Sequence, residues 1–131
     1  MAVQIFPVRS DKKEQLIDVT ADVQSAVTKS GVKDGICYIF TPHTTAAITI
    51  NENADPDVRR DFIKGLNHLD LEAVKFSHCE GNSPAHIKSS LVGCSEFVIV
   101  EEGILMLGTW QGIYFCEFDG PRSRQVYVTV R

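Results

Sequence analysis

Long hydrophobic runs are missing from this 131-residue sequence, in which no apolar stretch approaches the roughly 20 residues that cross a bilayer. Basic residues are not in excess either, because 13 lysines and arginines stand against 17 aspartates and glutamates. A phosphate backbone requires a basic surface, so neither nucleic acid nor a membrane is an expected partner. The N-terminus "MAVQIFPVRSDKK" has no signal or transit pattern, and we expect a cytoplasmic protein.

Paired cysteine motifs are absent as well, since none of the four cysteines is part of a C-x-x-C spacing. Cys37, Cys94 and Cys116 lie in apolar, strand-like segments, and we expect them to be reduced and mostly buried. Cys79 differs because it adjoins His78, and a neighbouring imidazole can lower a thiol pKa or share a metal ion with it. An ordinary surface thiol is the alternative interpretation.

Repeats, linkers and low-complexity tracts are also lacking, so we expect one domain over residues 1–131. Strand patterns cover residues 2–8, 14–19, 35–42 and 44–52 and most of the chain from 96 to 130. Hairpin-length connections between the later strands favour antiparallel pairing. The sequence therefore predicts an α+β fold: a compact single domain of mainly antiparallel, sandwich-like sheet with about three helices.

The three helical patterns have recognisable ends. The first is capped by Thr20 and ends at Gly31, and the second begins with Asp55 as N-cap. An apolar stripe predicts the buried face of the second helix: Val58, Phe62, Leu66 and Leu69. For the third helix we expect Ser83 as cap and Pro84 at N1, with Ile87 and Leu91 facing inward and His86, Ser89 and Ser90 facing away.

Three of the four histidines lie where the chain changes direction, which is where sites are commonly built. One hypothesis is a divalent metal ion held by His43, His78 and His86 with an open position for water or substrate. The alternative is three solvated loop histidines, and the spacing does not decide between them. Imidazole ligands favour zinc, whereas an added Glu52 or Glu80 would favour manganese or magnesium.

Other polar residues have two interpretations each. Glu52 has no capping role and is a candidate general base or a partner that orients a histidine. Arg122 and Arg124 follow the turn "DGPR" and are either a clamp for an anionic group or the solvated tip of a hairpin. Trp110 lies between two glycines and is a core anchor or a stacking platform.

Three long segments resemble one family. "FTPHTTAAITINENADPDV", "HCEGNSPAHIKSSLVG" and "LGTWQGIYFCEFDGPRSR", in this order, are similar to the bacterial and archaeal YjbQ-like family, whose members carry the name "secondary thiamine-phosphate synthase". The similarity covers nearly the whole chain. It implies a compact α+β fold of antiparallel sheets, a homotrimer, and a polar pocket that collects the histidines together with a metal ion.

The resemblance also implies a function. We expect a weak or secondary transferase activity that joins a hydroxymethylpyrimidine diphosphate to a thiazole phosphate, with a metal ion neutralising the leaving group. The alternative is a trimeric binding module for a small phosphorylated metabolite, without catalysis. We assign catalysis to Glu52 and His86, metal binding to His43, His78 and His86, and substrate binding to Thr44, Thr45, Asn82, Trp110, Gln111, Arg122 and Arg124.

Overall fold

The computed structural model describes residues 2–131, which form eight strands and three α-helices. The strands are β1 (Gln4–Arg9), β2 (Gln15–Asp18), β3 (Gly35–Phe40), β4 (Ala46–Glu52), β5 (Ser95–Glu101), β6 (Ile104–Leu105), β7 (Gln111–Glu117) and β8 (Ser123–Val130). The helices are α1 (Thr20–Ser30), α2 (Pro56–Asn67) and α3 (Ser83–Val92), with a 3₁₀ turn at Leu71–Ala73.

The strands form two antiparallel sheets. One has five strands in the order β1-β8-β3-β5-β6, and the other has three in the order β2-β7-β4. Their inner faces share one apolar core, in which Val126 and Val128 of the large sheet join Ile48, Ile113 and Phe115 of the small one. The predicted fold class, α+β with mainly antiparallel sheet, is confirmed.

The end of α1 and the start of α2 follow their sequence signals, but the predicted cap of α1 is wrong, because Val19 is the N-cap and Thr20 is the first residue of the helix. Gly31 ends α1 in the left-handed conformation, with φ of 73°. Asp55 accepts a hydrogen bond from the backbone N–H of Asp57, as expected of an N-cap. The predicted stripe of α2 is only partly right, because Phe62 and Leu66 pack against a small core cluster whereas Leu69 is 53 % exposed.

The start and the buried face of α3 both differ from the prediction. Asn82 is the N-cap, and Ser83 is the first residue of the helix rather than its cap. Leu91 is 62 % exposed, whereas Ala85, Lys88 and Ser89 are buried. The reason is polar: Ser89 donates a hydrogen bond to the carbonyl of Ala46 on β4, and Lys88 forms an ion pair with Glu14. These two bonds turn α3 so that its polar residues face the small sheet, a rotation that apolar periodicity cannot reveal.

Cys37 and Cys116 are buried, as expected, and burial raises the pKa of Cys37 to about 11 and that of Cys116 to about 12. Cys94 is exposed, contrary to expectation, because it lies in the connection between α3 and β5 rather than within the strand. No helix in the described part of the chain is long and apolar enough to span a membrane.

Candidate functional site

Three connecting segments meet at one end of the two sheets and enclose a hollow of about 300 Å³, here called the central cleft. The segments are residues 42–45 between β3 and β4, residues 80–86 at the start of α3, and residues 119–124, which run from the turn after β7 into the start of β8. The cleft is large enough for a small molecule, and polar side chains dominate its lining.

His43 is fixed by the backbone of β8. Its Nε2 atom accepts a hydrogen bond of 2.9 Å from the backbone N–H of Gln125. Partial burial lowers the pKa of His43 below its usual value, and the nearby Arg124 guanidinium lowers it further, although the Glu117 carboxylate opposes this. His43 is therefore held neutral over a wider pH range than a solvated histidine.

His86 lines the central cleft from the first turns of α3, opposite His43. Behind it lies His78, whose ring centroid is 5.3 Å from that of His86 in an edge-to-face arrangement. His78 does not line the central cleft but borders an adjoining hollow of about 150 Å³. The bend at Gly81, which has φ of 76°, returns the chain so that these two imidazoles meet.

At the rim of the cleft, the carboxylates of Glu80 and Asp119 lie beside the same two polar side chains, those of Asn82 and Arg122. The Nδ2 group of Asn82 donates to Glu80 at 3.0 Å and to Asp119 at 2.8 Å. Arg122 donates to Asp119 at 2.9 Å and lies 3.6 Å from Glu80. The Oδ1 atom of Asn82 is buried and has no hydrogen-bond partner among residues 2–131.

Behind His43 lies a buried ion pair between Arg124, which is 5 % exposed, and Glu117, which is fully buried. Burial by itself raises the pKa of Glu117, but hydrogen bonds from Arg124, from the Ser10 hydroxyl and from the backbone of Asp119 outweigh it and hold that pKa below its usual value. Arg124 also donates to the Thr45 hydroxyl at 2.9 Å.

The family follows from comparison with known sequences. The chain matches the family described as "UPF0047 protein YjbQ-like" over residues 4–131. It is 56 % identical over 125 residues to a UPF0047 protein of Methanocaldococcus jannaschii, covering 95 % of this chain and 91 % of that protein. The chain belongs to the YjbQ-like family.

Other family members have the same fold. The Bacillus subtilis protein YugU is 51 % identical over 127 residues, covering 96 % of each chain. The crystal structure of an uncharacterized conserved protein from Clostridium acetobutylicum superposes with a TM-score of 0.95 at 52 % identity, covering 98 % of this chain and 99 % of that one. A Sulfolobus solfataricus protein of unknown function gives 0.93 at 33 % identity, covering 98 % and 95 %.

These relatives overturn the function expected from the resemblance. Their names give the family and no activity, and the Sulfolobus protein is described as one of unknown function. The prediction of a metal-assisted thiamine-phosphate synthase is therefore wrong, and nothing supports the alternative binding module. The arginines expected to hold phosphates are already engaged, because Arg124 is buried against Glu117 and Arg122 is paired with Asp119 and Glu80.

Several predicted site residues meet in the central cleft. Those that line it are His43, Thr44, Thr45, Asn82, His86, Arg122 and Arg124. The cleft opens into a second hollow of about 570 Å³, whose further wall carries Phe40, Ser89, Ser90 and Cys94. His43 and His86 line both hollows, so a ligand in either one would contact the two imidazoles.

Glu52, Trp110 and Gln111 lie elsewhere. Glu52 pairs with Gln111 at the far end of β4, six residues or roughly 20 Å from the end that faces the cleft. Gln111 accepts a hydrogen bond from the Gly108 backbone, and Trp110 is 63 % exposed. Within one chain these three residues do not share a hollow with the histidines, so their catalytic and binding roles stay predictions.

The three histidines do not fit a divalent ion in this arrangement. Within residues 2–131, no three histidine, cysteine, aspartate or glutamate side chains converge closely enough to hold one. The Nε2 atom of His43 is occupied by the Gln125 amide, and His78 borders a different hollow. The zinc, magnesium or manganese ion expected from the sequence stays a prediction, and no chemical step is derived from it.

Sequence reasoning missed Asp119, Glu117 and Gln125. Asp119 precedes Gly120 and Pro121, and aspartate is a common residue in turns, so its presence there gives no sign of a functional role. Glu117 did carry a signal, because an acidic residue between Cys116 and Phe118 in an apolar strand requires a buried partner. Gln125 acts through its backbone amide, for which side-chain identity gives no signal.

Proposed function

We propose that this protein is an enzyme that carries out general acid–base chemistry on a small polar substrate in the central cleft. The observation that carries the proposal is the convergence of His43 and His86 with Asp119 and Glu80 on one hollow. Titratable groups concentrated in a cleft, one of them with a shifted pKa, are typical of sites that transfer protons.

His86 is the residue to which we assign proton transfer. Its ring lines both hollows and meets the His78 ring behind it, which gives a proton a second imidazole nearby. Imidazole is the side chain that most often acts as a general base near neutral pH. No protein nucleophile is required, because a base of this kind can activate water or remove a proton from the substrate directly.

The charges of the site indicate the substrate class. Three carboxylates, those of Glu80, Asp119 and Glu117, accompany only two guanidinium groups, those of Arg122 and Arg124, and each guanidinium is already paired. A multiply charged anion would meet no free cation there. The surroundings favour a neutral polar molecule over a phosphorylated one.

The test is turnover by the purified full chain. The substrates are chromogenic esters, amides and lactones, together with a metabolite extract followed by mass spectrometry. We expect turnover by the natural protein and a kcat about 10²–10⁴-fold lower in His86→Ala, the usual contribution of a general acid or base. His68→Ala is the matched control, because His68 is exposed beyond α2 and lines none of the described hollows.

Undiminished kcat in His86→Ala would remove His86 from the reaction. Failure to turn over every substrate class and every extract component would reject the enzyme itself.

A second proposal concerns self-association through the outer surface of the five-stranded sheet. Four of its five strands, namely β1, β3, β5 and β6, or the residues at their ends contribute large exposed apolar side chains to this surface, here called the outer apolar face. Its members are between 41 % and 61 % exposed: Val3, Ile5, Tyr38, Phe40, Phe97, Ile99, Ile104 and Met106. The face measures about 20 Å by 20 Å, or on the order of 400 Å².

We infer that a second copy of the chain covers this face. A patch of that size is comparable to the largest apolar patch of a typical monomer, and such patches are often functional. The centre of the face is formed by apolar side chains. There Tyr38 on β3 lies directly beside Phe97 on β5. A second copy of the chain presents the same apolar surface, so the two surfaces of such a contact have the same chemical character. The homotrimer and the cytoplasmic location both stay predictions.

Phe97→Glu is expected to shift the protein towards monomer, because a carboxylate buried at the centre of an apolar contact has no partner. The measurement is light scattering at micromolar concentration, with circular dichroism to verify folding. Leu69→Glu, at similar exposure but outside the face, should leave the mass unchanged. A natural protein that is already monomeric would reject the proposal.

A further inference from the structure

The hydrogen bond to His43 determines where its proton resides. The backbone N–H of Gln125 donates to Nε2 over 2.9 Å. An amide N–H can only donate, so Nε2 must present a lone pair and carry no proton. A neutral imidazole has one N–H group, and in His43 it must therefore be on Nδ1.

The Gln125 amide is free to make this bond because of sheet topology. Phe40, the last residue of β3, pairs with Tyr127 on β8. Gln125 lies two residues beyond that pair, so its amide has no strand partner on the β3 side. On the other side it faces Pro7 of β1. His43 takes the place of the missing strand and accepts the hydrogen bond of that amide.

A second hydrogen bond, from Thr41, holds the backbone of Gln125 on the side that faces β3. Its carbonyl accepts a hydrogen bond of 3.3 Å from the hydroxyl of Thr41, a residue that is 1 % exposed. The next residue along the strand, Val126, is fully buried in the core. The donor that holds His43 therefore lies on a strand anchored in the core, and a turn of the ring would break its hydrogen bond to that donor.

The Nδ1 atom of His43 has no partner in the described part of the protein. No residue in the range 2–131 accepts a hydrogen bond from it, and it is not among the buried polar atoms of that range that lack a partner. The atom is therefore accessible, and His43 lines both hollows. His43 thus brings a nitrogen without a protein partner to the hollows in which a ligand would lie.

We propose that His43 is a fixed hydrogen-bond donor, which presents Nδ1–H to an acceptor oxygen of the substrate and acts neither as a base nor as an Nε2 metal ligand. The inference rests on the proposed function and narrows it to substrates with a carbonyl or similar oxygen beside the group that reacts at His86. A preorganised donor of this kind stabilises negative charge that develops on the oxygen during the reaction.

The first test needs no substrate. Nitrogen-15 NMR of the histidine side chains in the full chain, above neutral pH, is expected to show His43 as the Nδ1–H tautomer with Nε2 accepting a hydrogen bond. Exposed His68 provides the comparison within the same spectrum. Added zinc ion alone should leave the His43 nitrogen signals in place. An Nε2–H tautomer, or a zinc-dependent shift of Nε2, overturns the proposal whether or not turnover is found.

The second test uses turnover. An asparagine amide can be placed near the position of Nδ1, whereas alanine has no donor. We expect His43→Ala to lower kcat about 10²-fold, with KM changed less, and His43→Asn to recover most of that loss. Equal losses in the two variants would reject the donor role while leaving the assignment of His86 intact. A result in which His86→Ala loses turnover but His43→Ala keeps it would likewise count against a role for His43.

Discussion

Arg124→Ala is expected to lower the free energy of unfolding by about 3–5 kcal/mol, because it leaves the Glu117 carboxylate buried without its counter-charge. Glu117 is fully buried, and Arg124 supplies two of its hydrogen bonds. Chemical denaturation of the purified chain measures the effect. A loss this large is a major fraction of the stability of an ordinary domain.

Arg9→Ala is the matched control, since Arg9 lies on the neighbouring strand but is exposed, and among residues 2–131 its side chain bonds to the Ser123 hydroxyl alone. It should change stability by less than about 0.5 kcal/mol. Replacing both Arg124 and Glu117 by leucine should cost less than Arg124→Ala, because neither charge is then left alone. Equal stability of Arg124→Ala and Arg9→Ala would show that the ion pair does not stabilise the fold.

The same ion pair predicts a dependence on pH. The pKa of Glu117 is lower in the folded chain than its ordinary value of 4.5, so its contribution to stability is fully present above that value and is lost as pH falls through the folded pKa. The stability difference between the natural protein and Arg124→Ala should therefore narrow as the solution is acidified below about pH 4.5. A difference that grows in acid would contradict the assigned direction.

Gly120→Ala is the second substitution with a large expected effect, about 3 kcal/mol or more of lost stability. A Cβ atom at Gly120 would collide with the backbone carbonyl of Lys12 and would lie 2.7 Å from the Ser10 hydroxyl and 2.9 Å from Glu117 Cγ. The carbonyl belongs to the backbone and cannot rotate away. The turn that carries Asp119 and Arg122 would have to move, so the rim of the central cleft should be disturbed together with the fold.

Gly65→Ala provides the opposite control. Gly65 lies within α2, and a Cβ atom there would meet nothing within 4 Å. Alanine in a helix interior is favoured over glycine, so this variant should be more stable by roughly 0.5–1 kcal/mol. Thermal or chemical unfolding of both variants gives the comparison. Similar stability of Gly120→Ala and the natural protein would mean that the turn is more adaptable than its packing indicates.

Local signals determined much of the fold. Apolar alternation predicted the strands because a residue facing the core must recur at every second position. Asp55 and Gly31 marked helix ends because capping depends on the residue and its immediate neighbours alone. The segments that carry His43, His86 and Arg122 were sufficient to recognise the family and to collect most of the residues that line the central cleft.

Only the tertiary structure decided which of the candidates act together. Glu52 and Trp110 lie in the same segments as the cleft residues, but the length of β4 separates them from His43. Arg124 follows a turn sequence that is typical of solvent-exposed hairpin tips, yet it is buried and paired with Glu117 at the end of β7. The role of His43 depends on a backbone amide that has no partner because β3 ends early. Each outcome is set by which strands pair and where they stop, and such long-range pairing is not determined by any single segment.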